Sequence, residues 1–181
     1  ASVPAVVVSV KPWYQSTEIG VAIAGFALAF GGFSYSAFGM DTPVGDALIG
    51  SGDWVFAWKG GWALAGDAMT PAVLGFFLYM VAFMDTVATI PTGSMAERWM
   101  FSSFVVYGLL VGSIIYPLYG NWVWGGGFLG SAGVLDFAGG TVVHINAGVA
   151  GLVGAIMVGR RIGFGRESLA PHSLTMSMIG A

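Results

Sequence analysis

The sequence predicts an all-α integral membrane protein with about four full transmembrane helices and the start of a fifth. Three observations predict it. Only 8% of the 181 residues are charged while 56% are hydrophobic, and an ordinary soluble domain carries about 25% charged residues. Apolar stretches of about twenty residues, long enough for a helix to cross a bilayer, recur along the chain. The basic residues also sort by side: with the loops numbered in order, five of the six Lys and Arg fall on one face, which the positive-inside rule makes cytoplasmic.

Taken in order, residues 1–10 (ASVPAVVVSV) lack a basic start and are too short to span, so they are not read as an intact signal peptide. The first span is Ile19 to Phe38, uncharged throughout and preceded by Lys11, Trp13 and Tyr14, a basic and aromatic cluster suited to a membrane interface. A loop from Gly39 to Asp67 follows, with Asp41, Asp46, Asp53 and Asp67 set against Lys59. Its Gly, Pro and Trp content reads as a folded extramembrane loop, with a short surface helix as one option. The second span, Thr70 to Met95, is interrupted by Asp85 and Pro91, which predicts a bent helix whose freed backbone groups find partners on neighbours.

The short turn Ala96-Glu97-Arg98-Trp99 leads into a third span, Phe101 to Leu118, with Pro117 near its end. Gly120 to Leu135, rich in Gly and Trp, reads as a re-entrant or loop segment at the far interface. The fourth span is Phe137 to Val158, and a polar stretch holding Arg160, Arg161 and Arg166 separates it from Leu174 to Ala181, the start of a fifth. With no repeat, low-complexity tract or linker, residues 1–181 read as a single membrane domain.

Composition excludes several chemistries. The chain has no cysteine, hence no disulfide framework, thiolate metal site or thiol nucleophile. Six basic residues give no support to nucleic-acid binding. What remains is His144, an imidazole inside the fourth span. A titratable group within a span is expensive to bury and usually faces a cavity or pathway; the plainer reading is a hydrogen bond that holds two helices together. It has no second ligand at helical spacing, which argues against a metal, and no nucleophile or metal cluster near it, which argues against an enzyme. His172, in the polar stretch, reads as a surface histidine.

Tyr79 and Phe83 are four residues apart and share a helix face, either as packing or as a gate. Trp124, just before three glycines, is either an interface anchor or the wall of a cation-attracting mouth. Asp136 stands immediately before the fourth span as a helix cap, a conduction carboxylate, or both. Ala147, Gly151 and Ala155 form a stripe of small residues suited to close helix contact, one helical step from His144. Asp85 has no partner that sequence alone can name.

Together these stretches resemble the ammonium transporter (Amt/Rh/methylammonium permease) family. The resemblance is carried by Trp124-Gly125-Gly126-Gly127, by Leu135 to Asn146 (LDFAGGTVVHIN), by Gly159 to Pro171 (GRRIGFGRESLAP) with His172, and by Gly93 to Arg98 (GSMAER). It covers roughly the first half of the family architecture, from the second span onward, and the chain stops before the family's second pore histidine and mouth serine. It implies a cofactor-free channel for ammonium or ammonia in the cell membrane, assembled as a homotrimer and open to a cytoplasmic regulatory protein. On that likeness Trp124, Phe83 and Tyr79 recruit and gate the cation, His144 is the first pore histidine, and Asp136 is a structural or recruiting carboxylate. Asp85 stands where an apolar or small residue is expected. Two other functions stay open: an ammonium-sensing domain of a signalling protein, which uses the same mouth residues and is separable by currents in liposomes, and a structural subunit of a larger complex, for which half a pore suffices and which co-purification with non-identical partners would favour.

Overall fold

Thr70 and Pro71 start the longest single α-helix among the described residues. The Thr70 hydroxyl accepts from the Val73 N–H at 3.3 Å, and Pro71 occupies the first helical position, where a missing N–H costs nothing. The computed structural model describes residues 24–32, 34, 39, 45–168 and 172–180. Most of the predicted first span, the Lys11, Trp13 and Tyr14 cluster before it, and Asp41 therefore lie outside the described residues.

Within them, helix α1 is Phe26–Phe30, and a hairpin of strands β1 (Ala47–Ser51) and β2 (Trp54–Trp58) follows. Next come two short 3₁₀ turns, Trp62–Leu64 and Gly66–Ala68. The helices after them are α2 (Pro71–Thr89), α3 (Pro91–Met95), α4 (Phe101–Leu110), α5 (Tyr116–Val123), α6 (Phe128–Ser131), α7 (Asn146–Val158) and α8 (Leu174–Gly180). Two wide-turned π segments, Val111–Ile115 and Gly140–Ile145, lead into α5 and α7.

Three helical stretches among the described residues are long and apolar enough to cross a membrane: Pro71–Met95, Phe101–Ser131 and Gly140–Val158. They match the second, third and fourth predicted spans, and the helical start of a fifth is present as α8. The interruption at Pro91 falls where it was predicted: α2 ends at Thr89, α3 begins at Pro91, and Ile90 between them keeps right-handed helical backbone (φ −52°, ψ −45°).

Two expectations are corrected. The loop before Pro71 is more than an irregular loop with a short helical turn: a β-hairpin precedes its two 3₁₀ turns, because Gly52-Asp53 closes a two-residue turn between Ser51 and Trp54. The stretch after Leu118 is not loop from Gly120: α5 continues to Val123, and only then does the glycine run break it.

Two apolar clusters hold the helices together. Val81, Met84, Val87, Val111, Tyr116, Val142, Val143 and Ala147 unite α2, both π segments, α5 and α7. Phe26, Phe30, Val73, Phe76 and Met80 pack α1 on the first half of α2. The Phe30 and Phe76 rings meet edge to face with centroids 5.1 Å apart, a preferred geometry. Phe83 and Trp124 pack against both clusters and so sit on the seam between them.

On the predicted cytoplasmic side, α3 packs closely along α7, with Ala147 and Gly151 buried. The turn after α3 fastens to the end of α7. Arg98 donates to the carbonyls of Ser94 and Gly159, and Arg161 donates to Glu97 Oε2 from Nε at 3.0 Å and Nη2 at 2.6 Å. The Glu97-Arg98 pair is thus accounted for by the joint between two spans.

Gly125 marks the tightest approach: a Cβ there would lie 1.9 Å from the Ala29 carbonyl oxygen of α1. No backbone atom can yield that distance cheaply, so Gly125→Ala is expected to destabilise the protein by about 3 kcal/mol. Thermal unfolding in detergent checks it, and an unchanged midpoint would mean that α1 does not seat on this turn.

Candidate functional site

Four of the residues singled out in the sequence form one continuous chain of contacts. Tyr79 and Phe83, a helical step apart on α2, meet edge to face at 5.1 Å between centroids. Phe83 meets Trp124 the same way at 5.3 Å, with ring planes at 79°. The Trp124 indole N–H then donates to the backbone carbonyl of Asp136 at 2.6 Å. Tyr79 is 56% exposed while Phe83 and Trp124 are partly buried, so the row runs from an open end inward to the seam of the two clusters.

Trp124 closes α5: its own N–H donates to Gly120 O at 2.8 Å, and the Gly125 and Gly127 N–H groups return to Asn121 O. The chain therefore turns sharply straight after the ring, which fixes the backbone from which the indole projects.

Asp136 is a cap of unusual completeness. Its Oδ1 accepts from the N–H groups of Gly139 (2.7 Å) and Gly140 (2.8 Å). Its Oδ2 accepts from the Thr141 N–H (2.8 Å), the Thr141 hydroxyl (2.6 Å) and the Val142 N–H (2.8 Å). These are the orphan donors at the start of a helix, where the dipole also favours negative charge. Gly139 makes the geometry possible, since its φ of +91° suits a residue without Cβ. Burial alone would raise the Asp136 carboxyl, but hydrogen bonds from the Thr141 hydroxyl and from the Val142, Thr141 and Gly139 N–H groups outweigh it and hold its pKa below the usual carboxylate range. Of the readings open in the sequence, capping is the one with partners in place.

His144 lies in the π segment that Asp136 caps. Its N–H reaches back five residues to Gly139 O at 2.8 Å, the wide-turn hydrogen bond of a π helix, a form that often marks functional positions. Val142 and Val143 are buried in the core, whereas the His144 side chain is exposed. It belongs to an outward face with Gly148, Leu152 and Ile156, and not to the crowded seam formed by Ala147 and Gly151. The aromatic row and the His144 segment are joined through the Asp136 cap. No group of three or more His, Cys, Asp or Glu that could hold a metal occurs among the described residues. His172 is exposed, as expected.

Sequence reasoning missed Trp58 and Asn121. The Trp58 indole N–H donates to Gly125 O at 2.7 Å, and Asn121, fully buried, lies under the same turn. Their partners are 67 and 66 residues away, so no local pattern exposes them. The Gly52-Asp53 hairpin signal between Ser51 and Trp54 could have placed β2.

Three apolar spans define an integral, multi-pass membrane protein, with an aromatic row that runs from an open end to a helix cap. The sequence model of the Ammonium Transporter Family matches residues 14–181. The chain is 39% identical over 153 residues to ammonium transporter Amt2 of Archaeoglobus fulgidus, covering 76% of this chain and 33% of that protein. It is 36% identical over 186 residues to an ammonium transporter of Aquifex aeolicus, covering 89% and 43%. A solved structure titled Sensor Amt Protein superposes with a TM-score of 0.72 at 28% identity, covering 93% of this chain and 40% of that one. The chain belongs to the ammonium transporter family. Its architecture is that of the N-terminal part of the fold, and it spans between a third and a half of the length of these relatives.

Proposed function

We propose that this protein carries ammonium or ammonia across a cytoplasmic membrane, as a transporter and not an enzyme. The unbroken Tyr79–Phe83–Trp124 row, fastened to Asp136, is the observation that carries the reading. Aromatic faces attract a small cation by their quadrupole, Trp most strongly. A bare ammonium ion moving into an apolar pore faces a large desolvation penalty. Rings at the entrance offset part of it, and an imidazole at His144 offers the next polar station, where the proton can be held or passed so that neutral ammonia crosses the greasy stretch. Asp136 holds the start of the His144 segment and keeps Trp124 against it. Rejection of potassium, similar in size, falls to the deeper pore. The relatives' names support ammonium as the substrate; a homotrimer and a cytoplasmic regulatory partner complete the proposal.

Trp124→Leu is the test. It removes the ring face and is expected to weaken apparent affinity for ammonium by roughly threefold to thirtyfold, with reduced preference for ammonium over other monovalent cations. Ion preference and affinity equal to wild type in reconstituted liposomes would remove Trp124 from recruitment.

A second reading, an ammonium-sensing domain, is favoured by the likeness to the structure titled Sensor Amt Protein. Ammonium-evoked currents from the protein in liposomes separate the two: a sensor binds without sustained current.

A further inference from the structure

The β1–β2 hairpin lies outside the spans, yet it grips the turn that carries Trp124 from two sides. On one side Trp58 of β2 donates its indole N–H to Gly125 O at 2.7 Å. Asn121, oriented so that both ends of its amide are paired, accepts from the same N–H at 2.7 Å and donates to Val55 O at 3.3 Å. On the other side the Trp122 indole donates to Phe56 O at 3.2 Å. The Phe56 ring stacks on Phe128 at 4.7 Å, and Trp54 stacks on the same ring at 5.8 Å. Residues 121–128 are thus pinned before and after Trp124 by a single strand, while the Ala29 carbonyl of α1 lies close against Gly125.

We infer that the hairpin is a positioning element of the cation entrance, with Trp58 as its positioning residue. By holding the Gly125 carbonyl and Asn121, Trp58 sets the backbone from which the Trp124 ring projects, and so tunes affinity for the cation without touching it. The inference rests on the recruitment role proposed for Trp124. It differs from a merely structural role in what it perturbs: a tie that only stabilises the fold changes how much protein is present, whereas one that aims Trp124 changes apparent affinity through Trp124.

Uptake of radiolabelled methylammonium by the protein in liposomes tests this in a double-mutant cycle. Trp58→Phe keeps an aromatic ring, smaller than the indole, and removes the donor; it is expected to raise apparent KM by roughly threefold to tenfold, with a smaller change in Vmax per reconstituted protein. In the Trp124→Leu background it should raise KM no further. Independent, multiplicative effects would overturn the inference. So would an unchanged KM in Trp58→Phe beside a raised KM in Trp124→Leu, and that result leaves the recruitment role intact. An unchanged KM in Trp124→Leu itself would defeat the recruitment role and this inference with it. Should Trp58→Phe fail to assemble, Phe56→Leu loosens the opposite grip: a raised KM that vanishes in the Trp124→Leu background supports the bracket, and a wild-type KM overturns it.

Discussion

Replacing His144 with alanine is expected to lower ammonium flux by roughly tenfold to a hundredfold, with folding and assembly unchanged. The asymmetry follows from where the ring sits. Val142 and Val143, beside it in the chain, are buried in the main apolar cluster, while the His144 side chain points away from that cluster and is exposed. Deleting it opens no cavity in the described core. What it removes is a polar group on a face otherwise lined by Gly148, Leu152 and Ile156. Initial rates of uptake in liposomes, with size-exclusion chromatography in detergent, check both halves. Wild-type flux would count against the pore assignment; loss of assembly would mean that His144 serves packing after all.

Asp136→Ala is expected to lower stability by about 2 kcal/mol, and Asp136→Asn by nearly as much. The second statement is the sharper one, because asparagine usually replaces aspartate at a helix cap at little cost. Here both carboxylate oxygens are surrounded by donors: Gly139 and Gly140 on one, Thr141 twice and Val142 on the other. An amide NH₂ must point at donors whichever way it turns.

The pH dependence follows from the same bonds. A carboxylate whose folded pKa is depressed contributes stability above its unfolded pKa, about 3.9, and loses that contribution as pH falls through the lower folded value. The gap between wild type and Asp136→Asn should therefore be full near neutrality and shrink below about pH 4. Thermal unfolding in detergent across that range measures it. A gap that does not change with pH would show that the carboxylate's charge is not what caps the segment.

The second, third and fourth spans were legible because composition carries them. Thr70 and Pro71 announce the start of α2, Pro91 its interruption, and the apolar runs are too long to be anything but bilayer-crossing. The aromatic row was half legible: the spacing of Tyr79 and Phe83 places them on one face, and Phe83 and Trp124 meet only because residues of α2 and α5 are drawn into one apolar cluster. Asp136 could be read as a cap from its place before the span, but the five donors depend on Gly139 at positive φ and on the wide π turn after it. In an almost wholly apolar run, hydrophobic periodicity does not distinguish a π turn from an α turn, so neither π segment left a signal. The hairpin was missed because its Gly52-Asp53 turn lies in a loop dominated by polar and small residues. Asn121 reads as an ordinary polar residue near a helix end; only the arrival of β2, more than sixty residues earlier in the chain, makes it the buried centre of a network.

The central claim is that the aromatic row and the imidazole lie along one passage. A structure of the protein in a lipid nanodisc with methylammonium present tests this most directly. Cation density is expected within about 6 Å of the Trp124 and Phe83 ring centres, with His144 bordering a cavity continuous with that site. An imidazole packed against lipid acyl chains, with no opening leading to it from Trp124, would contradict it.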